Sequence, residues 1–312
     1  ECAMPSLKAL LIALFVFLFN IPSSPACTII AAGKDATVDG SVIVSQTDTG
    51  QDSRIYVAHG QTFEPGAKAP VYFGIQDAEN ELHDDGEVLG YIPQVEQTYT
   101  YFHTAYSHIN EHQLAIAEST TDQREELKVT RETGGQIMTI EQAMVFALQR
   151  HRKARDAAQF IGDLMTTYGF IPSSGDGSEA LVIGDPEEAW VFEVVGVGPG
   201  WSPESGKPGA IWAAQRIPDD QAVMIPNYSI IKQIDPEDTA NFQVSDNYLQ
   251  EAIDRGFYDP ESGMPFIWQD AYSPVTAEWA TGRFWLFHTT FAPNLRDWPD
   301  RHLDGDVFKG LN

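Results

Sequence analysis

Cys27-Thr-Ile-Ile-Ala-Ala-Gly33, followed by Lys-Asp-Ala-Thr-Val-Asp-Gly40 and Ser41-Val-Ile-Val-Ser45, is the stretch from which the rest of the chain can be read. Two β-rich runs flank an Asp39-Gly40 turn signal, which predicts an antiparallel hairpin with Cys27 at its free end. What precedes Cys27 gives that position its meaning. Met4-Pro-Ser-Leu-Lys8 supplies a basic start, Ala9 to Phe19 an apolar run, and Asn20 to Ala26 a polar end with small residues at Ser24 and Ala26. Residues 1–26 therefore have the three parts of a removable signal peptide. The apolar run is short of the about twenty residues a membrane span needs. A cut after Ala26 makes Cys27 the first residue, carrying both a thiol and an α-amine.

Such a residue is a nucleophile with its own base attached. Unperturbed values near 8 for an α-amine and 8.5 for a thiol make proton transfer between them inexpensive at mild pH. The only other cysteine, Cys2, precedes Met4, so the chain from Cys27 onward holds one thiol and no internal disulfide. A lone cysteine in an exported chain reads as reactive rather than structural. Lipidation of Cys27 is the rival reading of the same junction, but Ser24 and Pro25 do not fit the usual lipoprotein signal.

Outward from the hairpin, brief strands are expected at 54–59 and 70–74, with more in 99–108 and 112–117. Thr139-Ile-Glu-Gln142 has the form of a capping box, and apolar residues from Met144 to Tyr168 recur at helical spacing. The charged stretch 150–156 breaks that pattern, which predicts two helices or one bent helix, stopped at Gly169. Paired strands are expected at 180–183 with 189–195, and at 209–217 with 221–226. Beyond residue 230 little periodicity is visible. Strands, then helices, then strands predict an α+β fold with antiparallel sheets.

The net charge of −26 argues against nucleic acid or an anionic membrane as partner and fits a soluble exported protein. His103, His108 and His112 cluster in sequence, yet their spacing does not set three ligands on one strand face. No phosphate-binding glycine loop or paired-cysteine motif occurs, so no cofactor and no metal are expected.

The Cys27–Ser41 segment resembles the start of the mature dipeptidase A family of cysteine peptidases, within the N-terminal-nucleophile (Ntn) hydrolases that include penicillin V acylase and bile salt hydrolase. Further matches follow in order: Thr47-Asp48, Asp52–Val57, Pro65-Gly-Ala67, Gly90–Pro93, Tyr99–Phe102, Ile109-Asn-Glu-His-Gln-Leu114, Ala117–Thr120, Trp212–Asp219 and Pro226-Asn227. They span nearly all of 27–312. The resemblance implies a four-layer αββα sandwich of two antiparallel sheets flanked by helices, and a secreted dipeptidase working through a thioester on Cys27. The implied roles give the α-amine to Asp48, the oxyanion to Asn110 and Asn227, and an active-site position to Arg283. Each has a plain alternative as a turn or structural residue. Glu118 could meet a substrate ammonium or be a buried structural carboxylate.

Two departures stand out: relatives often carry arginine where this chain has Gln46, and family members usually continue well past residue 312. The second departure implies a peptidase domain of 27–312 that is truncated at its C-terminus. Expected partners are short peptides, with no nucleic acid, no membrane after the cut, and a homo-oligomer allowed. Two other functions stay open, an N-acyl amide hydrolase of the acylase type and a non-catalytic exported binding protein. If signal peptidase makes the cut, a Cys27→Ser precursor still loses residues 1–26, as intact mass would show; a retained leader would instead indicate self-processing.

Overall fold

The computed structural model describes residues 27–48, 54–74, 86–172, 177–274 and 278–291. The leader, with Cys2 and Met4, and the stretch from 292 onward lie outside them. The hairpin forms as the sequence predicts: β1 (Thr28–Ala32) pairs antiparallel with β2 (Ile43–Thr47) in the register Thr28↔Thr47. A turn of 3-10 helix at Lys34–Ala36 widens the connection.

The body of the fold is an antiparallel sheet of eight strands among the described residues. In chain order these are β3 (Tyr56–Ala58), β6 (Tyr101–His103), β7 (Ile109–Asn110), β8 (Ala115–Thr121), β9 (Ser178–Gly184), β10 (Ala189–Val195), β11 (Ile211–Ile217) and β13 (Phe242–Val244). Their spatial order is β13-β11-β10-β9-β8-β7-β6-β3. β4 (Lys68–Phe73) and β5 (Glu87–Pro93) form a separate hairpin. No strand is expected at β5, because Gly90 and Pro93 obscure it.

The central strands are buried on both faces, which is why Ala189-Trp-Val-Phe-Glu-Val-Val195 lacks polar alternation. Trp190 and Phe192 join Leu181, Ile183 and Trp212 in one core, beneath α1 (Ile140–Arg150) and α2 (Ala154–Tyr168). Val191 and Val195 turn to the opposite core with Ala180, Val182 and Ile217, where Ile29 of β1 and Ile225 of β12 (Ala222–Ile225) meet them. Helices, the long sheet and the three-strand sheet β12-β1-β2 thus stack in succession.

The charged stretch at 150–156 does separate two helices, and Gly169 ends α2 with φ +74°, its N–H donating to the Met165 carbonyl. The capping box does not form. The Thr139 hydroxyl oxygen is buried without a hydrogen-bond partner, and Gln142 turns away to accept from the Tyr72 N–H at 3.0 Å. Anchoring the β4–β5 hairpin takes precedence over capping the helix.

The expected 209–217 with 221–226 hairpin is also corrected. A turn does occur, with the Gln221 N–H donating to the Pro218 carbonyl, but the chain crosses there between sheets. β11 pairs with β10 and β13, whereas β12 pairs with β1. Ladder pairing on both edges of β1 wins over local hairpin closure. Among the described residues beyond 230 lie three α-helices that weak periodicity concealed: α3 (Tyr248–Asp254), α4 (Trp268–Tyr272) and α5 (Glu278–Phe291).

Gly162 of α2 sits against the Trp212 indole, where an added Cβ would come within 2.2 Å of a ring carbon. Alanine gains about 1 kcal/mol over glycine in a helix interior, but overpacking a core costs about 1–3 kcal/mol or more. At that distance the clash wins. Gly162→Ala is expected to lose about 2 kcal/mol in urea unfolding; a gain in stability would show that the α2–sheet contact is looser than described.

Candidate active site

Two ladders place the site. Continued one residue beyond Thr28↔Thr47, the β1–β2 register sets Cys27 opposite Asp48; continued two residues beyond Ile29↔Ile225, the β1–β12 register sets Cys27 opposite Asn227. Cys27 is therefore flanked on both sides by polar residues from neighbouring strand ends. It is 4% exposed, and its Sγ donates to Asp48 Oδ1 at 3.1 Å.

Asn227 has φ +56°, a left-handed conformation that asparagine tolerates better than most residues. It is held there by its N–H on Ser119 Oγ (3.1 Å) and its Nδ2 on the Thr120 carbonyl (2.8 Å). A neighbouring anchor fixes the segment. Glu193, buried in β10, accepts from Ser229 Oγ, the Ile230 and Ile231 N–H groups and Trp268 Nε1. Burial raises the Glu193 carboxyl and those four donors oppose the rise.

Arg283 arrives from α5. Its Nη1 donates to the Cys27 carbonyl at 2.6 Å and Thr28 Oγ1 at 2.7 Å, its Nη2 to the Pro226 carbonyl at 2.6 Å, and both reach Asn227 Oδ1 at 3.2–3.3 Å. One planar guanidinium thus clamps the starts of β1 and the segment after β12. Burial pulls its value below the usual one and the neighbouring Cys27 opposes the fall, but an arginine stays charged.

Glu118 completes the group. It is 0% exposed, and ligand atoms of Cys27, Asp48 and Glu118 all lie within 4.8 Å of one another, close enough to surround a small cation or an ammonium. Burial, first, and then Glu179, Cys27 and Asp48 push its carboxyl well above the usual range. Gln46, at the position where relatives often carry arginine, accepts from the Glu118 N–H at 2.6 Å and so ties β2 to β8.

Asn110 is not brought here. Its Nδ2 donates to the Leu148 and His151 carbonyls, both at 2.8 Å, and its Oδ1 accepts from the His112 and Leu114 N–H groups. Both amide hydrogens are committed, leaving none for an oxyanion. Asn-Glu-His-Gln-Leu is instead a β7–β8 turn stapled to the end of α1, with Gln113 at φ +65°. The three histidines pack against rings: His108 stacks on Phe102, His112 meets Tyr99 edge to face, and His103 lies tilted against Tyr56. Glu179 and Gln46 are site neighbours to which sequence reasoning gave no site role. A carboxylate inside the apolar run Ser-Glu-Ala-Leu-Val-Ile183 was the available signal for Glu179.

The structure thus joins an α+β antiparallel fold to a thiol–carboxylate contact at a strand start. Comparison with known proteins makes the assignment specific: the model of Peptidase family C69 matches residues 26–303, and the chain belongs to that family. It is similar to a probable dipeptidase of Salmonella dublin, 26% identical over 91% of this chain and 62% of that protein. It is also similar to a probable dipeptidase of Latilactobacillus sakei (24% identical) and to dipeptidase A of Lactobacillus helveticus (23%), each over 88% of this chain and 55% of the relative. The chain thus spans between about half and two thirds of the length of these relatives.

A lysine cannot span the acceptors that Arg283 joins. Arg283→Lys is expected to lower unfolding stability by about 1–3 kcal/mol, since hydrogen bonds to a charged group contribute on that scale. An unchanged urea midpoint would show that the clamp does not hold these segments.

Proposed function

We propose that this chain is an exported dipeptidase in which Cys27, freed at its α-amine by a cut after Ala26, is the nucleophile of an Ntn-type hydrolase. The Cys27 Sγ–Asp48 contact at the head of β1 carries the reading. The stacked sheets and helices are consistent with the four-layer sandwich of that superfamily, and the names of the C69 relatives support a dipeptide substrate.

In this mechanism the thiol proton passes to the α-amine and the thiolate attacks the scissile carbonyl carbon. The tetrahedral oxyanion is met by the second Nδ2 hydrogen of Asn227, beside the one given to Thr120. A donor of this kind typically contributes about 3 kcal/mol. The C–N bond breaks, the leaving amine takes its proton from the α-ammonium, and a thioester remains. Water then loses a proton to the amine, attacks the thioester, and releases the acid and the thiol. Asp48 orients the amine, and Arg283 holds the Cys27 carbonyl so that the residue cannot rotate out of line.

Cys27→Ala is expected to cut dipeptide hydrolysis at least about a thousandfold while leaving the fold intact, as nucleophile removal does elsewhere. The check is turnover of a dipeptide panel beside penicillin V and acyl-homoserine lactones, on a chain shown by mass to start at Cys27. Turnover of the N-acyl amides alone would move the assignment to an acylase. Undiminished activity in the alanine variant would remove the nucleophile.

A further inference from the structure

The site stands against a group of buried acids. The register Thr120↔Glu179 puts Glu118, Thr120 and Glu179 on one face of the β8–β9 ladder. Glu118 and Glu179 are 0% and 1% exposed and within hydrogen-bonding reach of each other. Thr120 Oγ1 donates to Glu118 Oε1 at 3.3 Å, yet Oε2 of each glutamate is sealed from solvent with no donor. Glu193, a few residues away in β10, has four donors for the same chemical group. Among the described residues no lysine or arginine pairs with Glu118 or Glu179. The groups that face the pair are Cys27 ahead of β1, Asp48 after β2, Glu141 from α1 and Tyr106 before β7, all of them acids, while the Arg283 guanidinium of α5 faces Cys27 itself.

Two buried carboxyls in contact cannot both ionise without a cation, so they hold a proton between them. Burial is the main cause in both, and Glu179 is pushed up to about 8. A cut after Ala26 creates a cation at the right place, because the new ammonium belongs to Cys27, whose own thiol already lies within 4.8 Å of Asp48 and Glu118 ligand atoms.

We propose that Glu118 and Glu179 are a proton-sharing carboxyl pair that, with the less buried Asp48, forms the counter-charge for the α-ammonium of Cys27 and sets the pH at which the thiol works. The proposal rests on the reading of Cys27 as an N-terminal nucleophile. Both glutamates are positioning residues: they act through Cys27 and do not touch substrate. The single negative charge of the proton-sharing pair keeps protons on the ammonium and on the thiol. Taking charge away eases both deprotonations, so the acid limb of activity moves to lower pH.

The test is kcat/KM against pH for the mature chain and for the Glu118→Gln, Glu179→Gln double variant, which keeps shape and removes the charge that either carboxyl alone could still carry. The acid limb is expected to move down by about one unit, the scale of a near charge, which makes the variant roughly tenfold faster relative to its own plateau on the limb. KM is expected to hold, and Glu118→Gln alone, which leaves Glu179 to carry the charge, to shift the limb less. Limbs that coincide with wild type, whatever the uniform loss in rate, would overturn the proposal and leave a structural role; so would a shift to higher pH.

Should neither variant fold, the wild-type rate of Cys27 alkylation by iodoacetamide decides. An ionisation in its pH profile beyond those of the thiol and the α-amine supports the pair, and a profile holding only those two removes it. Undiminished activity in Cys27→Ala strikes the nucleophile reading itself, whereas an unmoved limb strikes only the pair.

Discussion

Strand pairing on both edges of β1 is the constraint on which the site depends. A strand at a sheet edge frays, and a residue one step before it is free to wander. Here β2 and β12 hydrogen-bond to either side, so the direction of the chain at Cys27 is fixed by two ladders rather than one. The same ladders deliver Asp48 and Asn227, because antiparallel registers bring residues at strand ends opposite each other. Nothing in the site has to be positioned by a long flexible side chain except Arg283, and its planar fork is held by acceptors on two segments.

Charge inside this protein is handled in two contrasting ways. Glu193 is buried and fully hydrogen-bonded, and it fixes the Ser229–Ile231 segment and Trp268 as a rigid support beside Asn227. Glu118 and Glu179 are buried just as deeply with far fewer donors, and burial pushes both carboxyls up. Partly satisfied polar groups are costly in a core. Their position beside the proposed nucleophile gives that cost a chemical use. Gln46 belongs to this economy too. A neutral amide, not a cation, meets the Glu118 backbone N–H.

Much of this was legible from residue order. The hairpin at 28–47, the helix pair broken near residue 151, the Gly169 stop and the 178–195 hairpin each carry a local signal, and each forms. What failed did so for tertiary reasons. Gln142 caps no helix because Tyr72 offers it a donor. The 211–225 strands share a turn but part into two sheets. Asn110 matched an expected motif position, yet its amide is spent inside its own turn and on the end of α1.

The sequence alone therefore determined the nucleophile candidate, the hairpin that presents it, the α+β class and the family, since these rest on short-range pattern and residue type. Only the tertiary structure decided which polar residues meet at Cys27. Asp48, Glu118, Glu179, Asn227 and Arg283 are separated by up to 235 positions in sequence and come together through ladder register and core packing. Register and burial are properties of the whole assembly. No local window of residues encodes which carboxylate finds four donors and which finds another carboxylate.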